Sequence, residues 1–367
     1  MTVNINRRLF LGSLVLGLFL TNINATELNS DSVKVENKPL ISNVEARFML
    51  RSEVRGNFEG DETDVNFINK PAMVSLGFDM GSKFAFYSRY RFDFPTTIQS
   101  DGTPVSLLAF NVQYKPMENL KFVVGKQVML QGSWEFEYNP IDIFYYSLMG
   151  NHIQGFVTGG AAHYTVGKQH MALQVSKVVD SDYTWNGSKN AWNATLYYAG
   201  NIGNEFYKPI WSYTYTYAGN NKSLHNFMIG NQFNINRLKL ECDLMAQNSF
   251  RHYRSENESA ADIQRKTSEY SIVGFAEYAF PGDKFLLAGK YAYDKRKDAE
   301  SNDVITKEQT ISMQLRYKLS QKYGLTLHGA AAYRISDTPE KYQYSFSDID
   351  KKMFNIGITW DFKYKHN

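Results

Sequence analysis

The residues of this chain best suited to chemistry are its arginines, and the chemistry they offer is attraction of anions. Arg47, Arg51 and Arg55 recur at a spacing of four, which puts all three on one face of an extended strand. Arg89 and Arg91, with Lys83, share the polar face of a second extended segment, and Arg316 and Arg334 lie on two neighbouring late segments. Guanidinium groups keep their charge at any working pH, so such a set could line one sector of a polar wall. The alternative is that Glu45, Glu53, Asp79 and Asp93 pair them off as a neutral ladder.

Acids and aromatic rings meet in one stretch, Gln131 to His152, which contains Trp134, Glu135, Phe136, Glu137, Tyr138, Asp142, Phe144, Tyr145 and Tyr146. It is too apolar for a connection waving in water. It is expected to fold inward and pack on a wall, where Gly155, Gly159, Gly160, Ala161 and Ala162 of the next segment leave room for another backbone. Glu135, Glu137 and Asp142 would then face the arginines across a narrowed passage, and a transverse field of that kind sorts solutes by charge and dipole. The competing reading is an aromatic flap that covers a contact between subunits.

Enzymatic chemistry has little support. The histidines (His152, His163, His170, His225, His252, His328 and His366) show no zinc spacing, and no serine sits in a nucleophile elbow. His328, on the polar face of its segment, reads as a wall residue rather than a general base. There is no glycine-rich phosphate loop, and the single Cys242 has no partner for a disulfide or a metal site. No cofactor is expected.

The elements that must position these groups are strands. From 43 onward the hydropathy period is two. Val44, Ala46, Phe48, Leu50 and Val54 alternate with Glu45, Arg47, Met49, Arg51, Glu53 and Arg55. Ile311, Met313, Leu315, Tyr317 and Leu319 alternate with polar residues in the same way, as do Phe354, Ile356, Ile358, Trp360 and Phe362. The pattern predicts sixteen segments: 43–57, 70–80, 83–94, 105–115, 120–130, 153–166, 168–178, 191–199, 205–217, 224–233, 237–248, 268–279, 284–294, 305–319, 324–335 and 351–363. Every second connection is a tight turn, such as Gly81-Ser82 or Pro281-Gly282-Asp283. Those between are mostly longer and polar, including 59–69, 131–152, 180–190, 250–267, 295–304 and 336–350. Strands long enough to cross a hydrocarbon layer, joined by short turns at one end and long loops at the other, describe an all-β, antiparallel, up-and-down transmembrane barrel. Closure follows because an open edge in lipid would leave backbone groups unpaired, and sixteen strands leave an aqueous interior.

Composition agrees and narrows the classes. Apolar residues make up 43% and no set of long apolar runs exists, which excludes a polytopic helical membrane protein. The 25 Tyr, 25 Phe and 5 Trp suit two interfacial girdles, although a soluble sandwich could also hold them. The formal net charge is only +3 and the basic residues are scattered, so nucleic acid is not an expected partner. Arg7 and Arg8, the apolar run Leu9 to Leu20 and small residues up to Ala25 form a secretory-signal pattern, with cleavage expected after Ala25. The domain plan is therefore a signal at 1–25, a polar periplasmic lead-in at 26–42 and a barrel at 43–367, in the bacterial outer membrane and in contact with its lipid.

The stretch Val124-Gly125-Lys126-Gln127, followed by Gly132-Ser133-Trp134-Glu135 and Asn139-Pro140-Ile141-Asp142, resembles the phosphate-selective porin O and P family as it occurs in Bacteroidetes-type bacteria. The resemblance implies a trimeric passive channel. Phosphate-selective members carry lysines and arginines at the constriction, whereas the corresponding loop here carries acids and no lysine. The expected function is passive diffusion of small hydrophilic solutes and ions, with a mild anion preference. The alternatives are a channel preferring sugars or oligosaccharides, for which the aromatic loop would provide stacking surfaces, and a barrel enzyme or adhesin.

Overall fold

The computed structural model describes residues 41–254 and 263–366. They form sixteen antiparallel strands: β1 (Ile41–Glu59), β2 (Glu62–Met80), β3 (Phe84–Arg91), β4 (Leu107–Met117), β5 (Leu120–Val128), β6 (Phe156–Val166), β7 (Gln169–Lys177), β8 (Trp192–Gly200), β9 (Tyr207–Gly219), β10 (Lys222–Ile235), β11 (Leu238–Tyr253), β12 (Ile263–Ala279), β13 (Phe285–Asp298), β14 (Val304–Ser320), β15 (Leu325–Asp337) and β16 (Lys351–His366). Each pairs with its sequence neighbours, and β1 pairs with β16 from Val44↔His366 to Glu59↔Lys351, which closes the barrel. The all-β, up-and-down architecture expected from the alternation is the one observed. The signal at 1–25 lies outside the described residues, as does most of the lead-in at 26–42; Ile41 and Ser42 already belong to β1.

The two faces separate as the period of two requires. Met313 and Leu315 of β14 are 61% and 48% exposed on the outer face, while Thr310 on the inner face is 4% exposed. On β16 the outer Ile356 and Trp360 flank inner residues such as Asn355 and Thr359, both buried. Turns at one end rely on residues that tolerate positive φ, as at Gly81 (φ 64°), Asn236 (φ 54°) and the Gly282-Asp283 pair (φ 84° and 54°).

Several long connections are shorter than the hydropathy suggests. The expected loop 59–69 is a tight turn at Gly60-Asp61, because the β1–β2 ladder continues to Glu59↔Glu62. Likewise β11 runs on to Tyr253, β12 starts at Ile263, and β13 extends to Asp298. These extensions carry polar residues on both faces, so the alternation fades while the backbone hydrogen bonds persist. Wall height is uneven: β3–β8 have 8 to 11 residues each, whereas β9–β16, β1 and β2 have 13 to 19.

Candidate functional site

The connection between β5 and β6, residues 129–155, enters the barrel. It carries a 3-10 turn at Trp134–Phe136 and one short helix, α1 (Leu148–His152). Gly132 lies against the backbone of Trp211 and Ser212 on β9, where a Cβ would overlap main-chain atoms, and its N–H donates to Ser212 Oγ at 2.9 Å. The close approach is thus made by a glycine of the loop. Of the β6 glycines expected to make room for it, Gly159 instead abuts Val175 and Ser176 of β7, its neighbour in the sheet.

Asp243 on the inner face of β11 anchors the next residues. It accepts from Ser133 Oγ at 2.6 Å, from the Trp134 N–H at 3.2 Å and from the Glu135 N–H at 3.0 Å, satisfying the free donors at the start of the 3-10 turn. Tyr138 donates to Glu241 Oε1 at 2.6 Å, and its ring lies 5.4 Å from Phe275. Burial, reinforced by Glu241, holds the Tyr138 hydroxyl far above the usual phenol range. The chain then crosses to the opposite wall, where Ile141 packs with Met49 of β1, Met73 of β2 and Leu108 of β4. It returns through Tyr145, and Met149 of α1 packs with Met228, Met245, Val273 and Ala292 on β10–β13. The loop is a strap between opposed walls, so any passage runs beside it rather than along the barrel axis.

Two ion pairs fix the strap. Glu135, 5% exposed, accepts from Ser147 N–H at 2.8 Å and Ser147 Oγ at 2.6 Å and pairs with Lys290 of β13, whose ammonium also donates to Tyr145 O at 2.8 Å. Asp142 accepts from Arg316 of β14 at 3.1 Å, and Arg316 also pairs with Glu277 of β12. Glu137 is exposed to the lumen with no ion pair or hydrogen bond among those observed; the surrounding wall nonetheless raises its carboxyl above the usual carboxylate range through desolvation. Burial pushes Tyr145 and Tyr146 up to about 12 and lowers His152 to about 4, with Arg251 and Arg296 adding to the effect.

The basic residues expected on the wall fall into different roles. Arg47 makes a bidentate pair with Asp361 of β16 at 2.6 Å and donates to Asn139 Oδ1 at 2.9 Å. Arg51 is buried and donates to the carbonyls of Ile143 at 2.7 Å and Lys70 at 3.0 Å, with its guanidinium 5.0 Å from the Phe144 ring; it holds the strap. Arg55 donates to Glu53 at 3.0 Å, and Glu53 also meets His328 at 3.1 Å. Arg91 pairs with Asp93 at 2.8 Å, and Arg334 lies 3.6 Å from Glu308. Arg89 packs near the Tyr87 ring, and its buried Nε has no acceptor. Lys83 lies in the turn before β3, outside the strand face expected for it. Asp79, expected to balance an arginine, instead accepts from Asn43 at 2.7 Å.

Placed together, then, are Arg47, Asn139, Asp142 and Arg316, which link β1 to β14, and Glu135 with Lys290. The expected opposition of a basic sector to an acidic loop is largely replaced by direct pairing. Lys290, Glu241 and Asp243 were not singled out from sequence, although each occupies an inward position of an alternating strand. A tight network of Arg251, Glu269 and Arg296, tied to Asp182 of the connection 178–191, was not anticipated either.

No family model and no curated protein matches the sequence. Solved structures similar in fold include an anion-selective porin from Comamonas acidovorans (TM-score 0.62, 13% identity, 88% of this chain and 100% of that chain). OmpT of Vibrio cholerae in its trimer form is similar at TM-score 0.60 and 13% identity, over 88% of this chain and 100% of that chain. OmpF of Salmonella typhi in complex with daunomycin matches at TM-score 0.60 and 13% identity, over 88% of this chain and 97% of that one. At such identities the likeness is one of fold.

Proposed function

We propose that this chain is a passive outer-membrane diffusion channel for small hydrophilic solutes and ions, a porin that needs no cofactor. The observation that carries the reading is the strap at 129–155, pinned inside a closed sixteen-strand barrel by Glu135–Lys290 and Asp142–Arg316, which narrows a polar lumen. The porins of similar fold support it. Residues 1–25 would be the export signal, 26–42 a periplasmic lead-in, and the assembly a homotrimer.

The charge balance argues for weak selectivity. Arg47, Arg55, Arg91, Arg316 and Arg334 each have an acidic partner, and Glu135 and Asp142 each have a basic one. Arg89 on the wall and Glu137 on the strap are left without a counter-charge. Those two offset each other, and Arg51 and Arg55 share the single Glu53, so the balance tips only slightly positive and the expected anion preference is mild, without phosphate specificity. The test is the zero-current potential in a planar bilayer under a potassium chloride gradient, at low salt because screening shortens electrostatic reach to about 10 Å at 0.1 M. Arg89→Ala should shift it toward cations and Glu137→Gln toward anions, with Arg91→Ala nearly silent. No channel activity from the folded barrel would refute the pore.

A second reading, a sugar-preferring channel, has one specific observation in its favour. A narrow pocket beside the strap is lined by Tyr138, Phe144, Tyr145 and Phe275 together with Gln314 and Arg316, which combines stacking faces with hydrogen-bonding groups. Block of the ion current by oligosaccharides would favour it.

A further inference from the structure

We propose that the outer face of β12–β14, at the end of the barrel that carries the long connections, binds the phosphate groups of an outer-leaflet glycolipid through Lys295, Lys297 and Lys307. The proposal rests on the membrane-channel reading above.

It starts from the way these strands sort charge. Every carboxylate on β11–β14, Glu269, Asp294 and Glu308 among them, stands at an inward position of its strand. Lys266, Lys295, Lys297 and Lys307 stand at outward positions, in phase with the exposed Tyr270, Tyr291 and Ile311. The outer face of these strands is therefore basic, with no carboxylate of its own.

Register concentrates the charge. Lys295 lies directly opposite Lys307 in the β13–β14 ladder, and side chains so placed have Cβ atoms about 4.5–5.5 Å apart, where like charges destabilise the pairing. The neighbours relieve little of this. Lys307 donates to Asp337 of β15 at 3.0 Å, but the Asp337 side chain is 66% exposed, so solvent screens that pair. Lys297 donates to the neutral Asn302 Oδ1 at 3.1 Å. Lys295 has no hydrogen-bond or ion-pair partner among the described residues. Two ammonium groups held side by side, one of them without an acceptor, suit an anion that presents several oxygens, as a phosphate does.

Height on the wall identifies the source of that phosphate. Lys295 lies ten residues along β13 from Phe285, whose ring packs on Tyr317 with centroids 4.6 Å apart at the short-turn end of the barrel. Ten residues rising ~3.3 Å each on a strand tilted by about 45° climb about 23 Å, close to the height of ~25 Å of the apolar band. The lysines thus stand at headgroup level across the bilayer from Phe285, in the outer leaflet. Tyr270, opposite Lys295 on β12, and Tyr291, whose hydroxyl donates to Gln309 at 3.1 Å, mark the boundary beside them. Ile272 and Ile311 continue the wall toward the midplane as exposed apolar surface. Charge above, rings at the boundary and hydrocarbon surface below fit a lipid that joins phosphate to acyl chains. A soluble anion would use only the uppermost part.

The experiment titrates the full mature chain, folded in a neutral detergent, with bis-phosphorylated lipid A and counts bound lipid by native mass spectrometry. Wild type should retain lipid A, Lys295→Gln should bind it about fivefold more weakly and Lys295→Gln with Lys307→Gln roughly 25-fold more weakly, the effect of one and of two lysines at a membrane surface. Lys284→Gln, at the short-turn end of the same strand pair, should bind like wild type. Lipid A stripped of both phosphates should bind as weakly as the double variant, and inorganic phosphate should not displace the intact lipid. Full-strength binding by the double variant, equal binding of the stripped lipid, or an equal loss in Lys284→Gln would overturn the proposal. Displacement by inorganic phosphate would overturn the lipid as its source. Folding is checked without lipid A: Lys295→Gln removes the repulsion from Lys307, so its barrel should resist heat on gels at least as well as wild type, and a lower resistance would refute the unrelieved charge pair. In phosphatidylcholine bilayers both variants should conduct like wild type. A barrel that binds lipid A but conducts no ions would instead sink the channel reading and leave the site standing.

Discussion

Glu135→Gln is the most informative single perturbation of the strap. The substitution keeps the side chain's size and an acceptor for Ser147 but removes the charge opposite Lys290. Glu135 is 5% exposed and the Lys290 side chain 14%, so the pair is shielded from bulk solvent. Removing one partner of a buried pair costs about 3–5 kcal/mol, chiefly because the remaining charge is stranded. At 1.4 kcal/mol per factor of ten, the strap's detached population should rise roughly a hundred- to several-thousand-fold. The assay is single-channel recording at constant voltage, where wild type should give a quiet main level and Glu135→Gln should flicker to a second conductance level. Lys290→Met added to Glu135→Gln removes the stranded ammonium and should restore much of the quiet behaviour, because replacing both members of a buried pair is far less costly than replacing one. Glu135→Gln traces indistinguishable from wild type, or a double variant noisier than the single one, would refute the claim that this pair holds the strap.

Gly132→Ala places a Cβ into the Trp211–Ser212 backbone and should cost about 1–3 kcal/mol of overpacking, read as a lower temperature for the folded-to-unfolded shift on gels and as more frequent substates. Leu315→Arg, on the outer face of β14, should cost ~2–4 kcal/mol if near the midplane, whereas Gln314→Arg beside it should be tolerated; refolding titrations in urea compare them, and equal damage would mean the face assignment is wrong. Glu137 should make selectivity pH-dependent: its carboxyl is raised, so acidification neutralises it before ordinary carboxylates, and the anion preference should grow as pH falls through that range. The same shift means that its contribution to stability is lost as pH rises through the folded-state value. Glu137→Gln should abolish the selectivity step, and an unchanged pH profile in that variant would assign it elsewhere.

The sixteen strands were legible because each must keep one apolar and one polar face, and a period of two survives without any knowledge of neighbours. Val44 to Arg55 and Ile311 to Leu319 could adopt no other phase, and closure followed from the cost of open edges. The polar extensions at 62–69 and 249–253 were not legible, since strand pairing continues there after the hydropathy contrast has ended. Only the tertiary structure decided which charges cancel. Arg47 and Asp361 are 314 residues apart, Arg316 and Asp142 are 174 apart, and Lys290 and Glu135 are 155 apart, so no local spacing announces these pairs. It also decided the side on which each connection lies. The aromatic weight of 131–152 signalled a packed loop, but its crossing to Met49 and Met73 depends on a groove that exists only once the barrel closes. The polar connection 92–106 had no such signal, and its place on the outer face is set by Lys126, Thr158 and Lys177, which the register of three separate strands brings side by side.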